Sequence, residues 1–279
     1  MSDEDNAYLG LAEAHEGDEA HWAFGTGFED PLHGTDTALP PGVDGAALAA
    51  RCLALGDDAL VLAQRLAQWC TRAPELEEEL ALANIGLDLL GQTRLLYTRA
   101  GQADGSGRSE DDFAYRRDAD AFRSVRLAEL PDGDFAHCIA RLLVLSAWRL
   151  AVFERLTGAP DPVLAAVAAK GVKELAYHRL YAAEWTVRLG DGTEESHRRM
   201  QQGLDAVTPY LDELFAAEDV REQVEPVLRQ VADSAGLVLG AAAEPTPPGS
   251  GRDGDHTEHL APLLAELQSV ARENPGATW

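Results

Sequence analysis

The stretch APELEEELALANIGLDLLGQTRLLY, residues 73–97, contains the features that decide the fold. Pro74 interrupts the preceding segment, and the glutamates behind it suit the first turn of a helix, because carboxylates there complement the helix dipole. Leucines then recur at helical spacing, at Leu80, Leu87, Leu90 and Leu95. This pattern predicts one long helix that ends at about residue 99.

The same spacing of apolar residues continues on both sides of this stretch. It predicts a helix over residues 46–69 and a third long helix over residues 135–156, which Asp134 would cap. Asp161 followed by Pro162 is typical of a helix start, and this fourth long helix is expected to end near residue 189. One shorter helix is predicted within residues 110–130. Further helices are predicted from Thr193 to a break at Pro209, over residues 220–237, and from about Thr257.

These elements predict an all-α protein, because no β alternation stands out and four long helices with accessory helices are typical of a ferritin-like helical bundle. Residues 44–279 are assigned to this ferritin-like bundle domain. Residues 1–43 are rich in glycine, proline and acids, and they are predicted to form an irregular acidic N-terminal arm. Its aromatic residues, Trp22, Phe24 and Phe28, are expected to dock onto the bundle or onto a partner.

The composition excludes some classes of function. The chain of 279 residues has 48 acidic and 23 basic side chains, a formal net charge of −25, so we expect no binding to nucleic acid or to an anionic membrane. No apolar run stands out as long enough to span a membrane, and the N-terminus lacks the features of a signal peptide. Three cysteines without a CxxC pair suit a reducing compartment, so a cytoplasmic location is predicted.

A bundle of this size raises the question of a di-iron site, which needs four carboxylates and two histidines inside the bundle, two of the helices carrying Glu-x-x-His. Residues 46–99 contain no histidine, and Glu174 and His178 are spaced i, i+4, with Tyr177 where a ligand would belong. Glu194 with His197, and Asp134 with His137, have the required spacing but lie at helix starts, where capping explains the acids. We therefore assign no catalytic and no metal-binding residue.

Two polar sets remain as candidates for a partner interface or a buried polar contact. Asn84, Asp88 and Gln92 form a stripe on one side of an otherwise apolar helix, which either pairs with a neighbouring helix or partner or faces water. Glu174 and His178 could form a hydrogen-bonded pair across one helical turn. The histidines at 256 and 259 are interpreted as a polar helix start rather than as a metal site.

Four long runs of this sequence resemble the C subunits of the bacterial phenylacetyl-CoA epoxidases: residues 73–97, 111–141, 173–201 and 256–268. The resemblance covers roughly residues 46–279 and is weaker over 220–255. It implies a ferritin-like fold and a complex with a homologous A subunit, which carries the di-iron centre and binds the acyl-CoA. It also implies a small B subunit and a flavin/iron–sulfur reductase, in a complex that inserts one oxygen atom of O2 into the ring of phenylacetyl-CoA.

In that family the C subunit has lost the metal ligands, so the resemblance implies a non-catalytic structural subunit with no cofactor of its own and di-iron in the partner. Two alternatives remain open. The chain could itself be a di-iron oxygenase that draws ligands from a pool of Asp88, Asp134, Glu174, His178, Glu194 and His197. It could instead be an acyl-CoA binding module, with Arg188, Arg198 and Arg199 beside a helix start binding the phosphates.

Overall fold

The computed structural model describes residues 32, 34–131, 133–240 and 248–277. In this part of the chain all regular structure is helical, as predicted, and no strand is found there. Most of the predicted acidic arm, including Trp22, Phe24 and Phe28, lies outside the described residues.

The helices are numbered here in chain order. They are α1 Gly45–Ala67, α2 Leu76–Ala103, α3 Glu110–Tyr115, α4 Arg126–Glu129, α5 Phe135–Leu156, α6 Pro162–Gly190, α7 Glu194–Val207, α8 Leu211–Ala217, α9 Arg221–Ser234 and α10 Leu260–Glu273. The predicted break at Pro209 is a 3₁₀ turn, Thr208–Tyr210. The single helix predicted within residues 110–130 is wrong, because α3, a 3₁₀ turn at Ala119–Ala121 and α4 share that segment.

The four long helices form two hairpins. α1 packs along α2 and α5 packs along α6, with only short connections inside each pair, and α2 contacts α6 across the bundle. Residues 104–134 form the connection between the hairpins and carry α3 and α4. One long crossover between two antiparallel pairs is the topology of ferritin-like bundles. α7 and α9 then pack on the α5/α6 hairpin.

The predicted helix starts at Asp134, Asp161 and Thr193 are confirmed by their contacts. The Asp134 carboxylate accepts a hydrogen bond of 2.9 Å from the His137 amide, and the Asp161 carboxylate accepts one of 2.8 Å from the Leu164 amide. Thr193 and Ser196 form a reciprocal capping box. Such caps each stabilise a protein by about 0.5–2 kcal/mol, because they satisfy amides that have no partner inside the helix.

α5 is the central helix of the core. By length and composition it could cross a membrane, so the expectation that no apolar run approaches that length is wrong for this helix. Its apolar stretch is 89% buried within the bundle, as is typical of the core helix of a folded domain. No membrane contact is needed to explain this composition.

The buried side of α2 differs from the row of leucines that predicted the helix. Leu82, Ile85 and Leu89 are buried, whereas Leu80, Leu87 and Leu90 are exposed. The helix was therefore predicted correctly, but most of the leucines that indicated it lie on its outer side.

Candidate functional site

A charged network lies inside the bundle, centred on Arg149 of α5. Its guanidinium donates a hydrogen bond of 3.1 Å to the Leu55 carbonyl of α1 and one of 3.0 Å to the Gln92 side-chain oxygen of α2. An Asp58 carboxylate oxygen of α1 lies 3.7 Å away. The Arg149 side chain is only 1% exposed, so a full positive charge is held at the centre of the bundle.

The surroundings keep this guanidinium charged. Burial lowers the pKa of Arg149 to about 10, while the nearby Asp58 carboxylate acts in the opposite direction. The guanidinium carbon lies 5.0 Å from the centre of the Phe153 ring, a distance typical of a cation–π contact. Even the lowered pKa leaves Arg149 protonated at neutral pH, so the network contains a permanent internal cation.

Asp58 carries the main counter-charge. It accepts hydrogen bonds from the Arg252 guanidinium, at 2.6 Å for the shorter one, and from the Val125 amide at 2.8 Å. Burial raises the pKa of the Asp58 carboxyl, and the charges of Arg252 and Arg149 oppose that rise. A buried acid held by two arginines and a backbone amide is the arrangement that low-dielectric surroundings require.

Four of the five predicted polar residues form contacts at the seam between α2 and α6, and Gln92 connects this seam to Arg149. The Gln92 amide donates a hydrogen bond of 3.0 Å to Glu174, and Asp88 lies 3.0 Å from His178 Nε2. Glu174 also accepts from Lys170 one turn earlier in α6. The fifth residue, Asn84, is half-buried. The stripe of α2 therefore does not simply face water.

The predicted pairing of Glu174 with His178 is wrong. Both side chains point across the seam and contact α2 instead of each other, because Asp88 and Gln92 have the same i, i+4 spacing on the facing helix. Close approach of α6 to α5 here depends on Gly171, where a Cβ atom would lie 2.6 Å from the Phe153 ring.

Sequence analysis missed the residues at the centre of the network, Arg149 and Asp58, together with Asp57. The Asp57 carboxylate accepts a hydrogen bond of 2.6 Å from the Tyr97 hydroxyl and is ion-paired with Arg117. The sequence does indicate these residues, because Asp57 and Asp58 lie in mid-helix within an apolar run and Arg149 interrupts the most apolar helix. Charges in such positions are rarely buried unless they are paired.

A second buried carboxylate, Glu129, binds the C-terminal segment to the bundle. It accepts hydrogen bonds of 2.7 Å from the Thr257 amide and 2.8 Å from the Thr257 hydroxyl, and lies 2.7 Å from His256 Nδ1. The other ring nitrogen of His256 lies 3.0 Å from the Phe122 carbonyl. His256 therefore does not belong to the start of α10. It lies four residues before Leu260, the first residue of α10, and contacts Glu129 instead.

His256 makes stability depend on pH. Burial would lower the pKa of His256, but its hydrogen bond to Glu129 and the charge of that carboxylate raise it above 6.5, against a weaker opposing effect of Arg123. A raised pKa in the folded chain gives stability that is full below the unfolded value and is lost as pH rises through the folded value. We expect His256→Gln to reduce the free energy of unfolding most below the ordinary histidine pKa of 6.5, and progressively less as pH rises through the raised value in the folded chain.

Urea unfolding of the wild-type chain and the His256→Gln variant at several pH values would measure this difference. Comparing the two proteins at each pH cancels the contribution of the other titrating groups. A difference that stays constant with pH would show that His256 contributes through packing alone.

The interior does not fit a di-iron centre. The Arg149 guanidinium occupies the interior beside Asp58 and Gln92, and His178 is directed to Asp88 across the seam. Within the described ranges, one group of three acidic, histidine or cysteine side chains has its ligand atoms within 4.8 Å of one another, and it is Glu75, Glu77 and Glu78. That group lies in the first turn of α2, away from the bundle interior.

Two of the three remaining members of the proposed ligand pool have structural contacts. Asp134 caps α5, and His197 Nδ1 lies 2.8 Å from the Gly190 carbonyl, while Glu194 lies in the first turn of α7. The arginines proposed to bind an acyl-CoA are engaged as well. Arg198 and Arg199 both pair with Glu195 at 2.7 Å, and the Arg188 guanidinium lies 4.5 Å from the Trp185 ring centre. Phosphate binding there would have to displace the Glu195 carboxylate.

Comparisons with known proteins agree with the resemblance found in the sequence. The family described as phenylacetic acid catabolic protein matches residues 34–279. The chain is 43% identical over 246 residues to the C subunit of 1,2-phenylacetyl-CoA epoxidase from Escherichia coli (strain K12). That match covers 83% of this chain and 99% of the relative, so the two share nearly the whole bundle.

Proposed function

The chain belongs to the phenylacetic acid catabolic protein family, and from this we propose that it is a non-catalytic structural subunit of a multicomponent di-iron monooxygenase. The complex would epoxidise the ring of phenylacetyl-CoA in the cytoplasm. Its di-iron centre would lie in a homologous catalytic A-type subunit, and a small B-type subunit and a flavin/iron–sulfur reductase would complete it. The similarity to a protein named as an epoxidase subunit supports this assignment.

The observation that carries the non-catalytic part of the proposal is the position of Arg149. In a ferritin-like di-iron protein, inward-facing carboxylates from several helices need a cation, and the metal ions supply it. Here the Arg149 guanidinium supplies positive charge to Asp58 and a hydrogen bond to Gln92. The network is neutralised by side chains of the chain itself, so its stability does not require a bound metal.

Such an interior suits a protein whose task is to hold a shape. Arg149 connects α5 to α1 and α2, and Gln92 with Glu174 extends the contacts to α6. Hydrogen-bonded networks of this kind fix the relative positions of helices more specifically than apolar packing does. A rigid four-helix surface would serve as a fixed template for the catalytic partner, which would bind the substrate and oxygen.

Iron content tests the proposal directly. We expect the chain purified alone after iron-replete expression to contain no stoichiometric iron, and the catalytic subunit purified in parallel to contain about two irons per chain. Epoxidation of phenylacetyl-CoA should require the catalytic subunit and the reductase in addition to this chain. Elemental analysis and mass spectrometry of the product would measure both.

The outcome that contradicts the proposal is specific. About two irons per chain in the isolated protein, with turnover when only a reductase is added, would make this chain the oxygenase. The Asp58→Asn and Glu174→Gln variants would then be expected to lose iron. Under the proposal, neither substitution changes the iron content.

A further inference from the structure

A row of large apolar side chains lies uncovered on one side of the α2/α6 pair. The leucine face is defined here by Leu76, Leu80, Leu87, Leu90 and Tyr177, which are 65%, 56%, 62%, 38% and 46% exposed. The leucines follow helical spacing along α2, and Tyr177 of α6 precedes the seam residue His178. The four leucines extend over about 21 Å of α2, given a rise of about 1.5 Å per residue.

A buried polar atom without a hydrogen-bond partner occurs beside this row. The Glu78 Oε2 atom of α2 is buried and has no partner among the described residues, whereas the buried Tyr181 hydroxyl of α6 interacts with the Trp185 side chain. Tyr181 lies one helical turn after Tyr177, so it borders the leucine face. Buried polar atoms in native structures nearly always have a partner, which here would come from another molecule or from an ordered water.

The charge at one end of the row is also uncompensated. The carboxylates of Glu75, Glu77 and Glu78 lie within 4.8 Å of one another in the first turn of α2. Within the described part of the chain none of the three forms an ion pair, although the helix dipole favours acids at this position. Like charges at this separation repel, so a partner that brings arginine or lysine to this end would be attracted.

We propose that the leucine face is the surface on which the catalytic A-type subunit docks, a step that rests on the function proposed above. The partner surface would be a helix face with an apolar centre over Leu80 and Leu87 and basic side chains opposite the glutamates. Stable interfaces between permanent subunits bury upwards of about 2,000 Å², with an apolar centre and a polar rim. A leucine row with charges at one end has this distribution.

A second copy of the chain fits this surface less well. Pairing about a two-fold axis would place identical surfaces against each other, and each copy carries a formal net charge of −25. Glu75, Glu77 and Glu78 would gain no basic partner from the same face. Complementary charge therefore favours a different chain with basic residues at this position.

The experiment compares two doubly substituted chains in complex with the wild-type catalytic subunit. Leu80→Asp with Leu87→Asp places two charges in the centre of the leucine face, and we expect at least about a 30-fold weaker association. Val238→Asp with Val270→Asp is the matched control, because these valines are 67% and 54% exposed and lie outside the leucine face. Kd would be measured by biolayer interferometry, and circular dichroism would show that both variants remain folded.

A charge-reversal variant tests the rim separately. Glu75→Lys with Glu77→Lys should weaken binding about tenfold at low salt and lose most of that difference at about 1 M salt. Both residues are exposed in the structure, so the variant is expected to fold.

The outcomes separate this inference from the proposed function. Unchanged binding of both the leucine and the glutamate variants, beside a wild-type pair that does form, would overturn the leucine face and leave the proposed function standing. Failure of the wild-type chain to bind the catalytic subunit would overturn both. If the leucine substitutions instead dissolve a homodimer of this chain, the choice of partner is wrong.

Discussion

Arg149→Met is expected to lower the free energy of unfolding by about 3–5 kcal/mol, the range found when one partner of a buried ion pair is removed. Methionine fills much of the same volume, so the effect would come from polar groups that lose a partner rather than from a cavity. The Leu55 carbonyl and the Gln92 side-chain oxygen would each lose a donor, and Asp58 would keep Arg252 as its only arginine partner.

Urea unfolding of the wild type and the variant would measure this loss. Arg229→Met is the matched control, since the Arg229 side chain is 61% exposed in an i, i+4 pair with Glu225, and such pairs contribute only about 0.3–0.5 kcal/mol. Adding Asp58→Asn to Arg149→Met should lower stability further, because Arg252 would then lose the carboxylate with which it pairs at 2.6 Å. A loss of less than about 1 kcal/mol for Arg149→Met would mean that the internal cation does not hold the bundle together.

The fold could be predicted from the sequence because its signals are local. Helical spacing of apolar residues and the caps at Asp134, Asp161 and Thr193 depend on neighbours within a few residues, and the structure confirms them. The segment between residues 110 and 130 was harder, since its short helices are held by distant contacts. An example is the hydrogen bond of 2.8 Å from the Val125 amide to Asp58, 67 residues away.

The polar site could be predicted only in part. Gln92 and Asp88 were found because polar residues at i, i+4 stand out in an apolar helix, and Glu174 with His178 for the same reason on α6. Their pairing across the seam depends on the relative register of two helices that lie about 80 residues apart in sequence, as the separation of 82 between Gln92 and Glu174 shows. Spacing within one helix contains no information on that register.

The sequence also contains a signal for the buried ion pair of Arg149 and Asp58. A basic residue inside the most apolar helix and two adjacent acids inside another apolar helix together predict a buried ion pair, because neither charge is tolerated alone in a core. The exposed leucines of α2 show the opposite error. Apolar spacing identified the helix, but it did not distinguish a side that packs in the core from one left uncovered.

Asp161→Ala is the second substitution with a large expected effect, about 3–5 kcal/mol of lost stability. Asp161 has two roles at the start of α6. Its carboxylate accepts the cap hydrogen bond from the Leu164 amide at 2.8 Å and pairs with the Arg99 guanidinium of α2, whose Nε lies 3.0 Å away. The Arg99 and Asp161 side chains are 1% and 2% exposed, so the alanine variant would leave a buried guanidinium without its carboxylate.

Two further variants separate these roles in the same urea titrations. Thr193→Ala removes an exposed cap on α7 and should lower stability by only about 1 kcal/mol. Arg99→Met with Asp161→Asn removes both charges while keeping a side-chain acceptor for the Leu164 amide, so it should be less destabilising than Asp161→Ala alone. If Asp161→Ala and Thr193→Ala lower the free energy of unfolding equally, Asp161 contributes to stability only as a helix cap. A larger loss for Asp161→Ala would mean that its ion pair with Arg99 fixes the start of α6 against α2, at the same seam that carries the network and borders the leucine face.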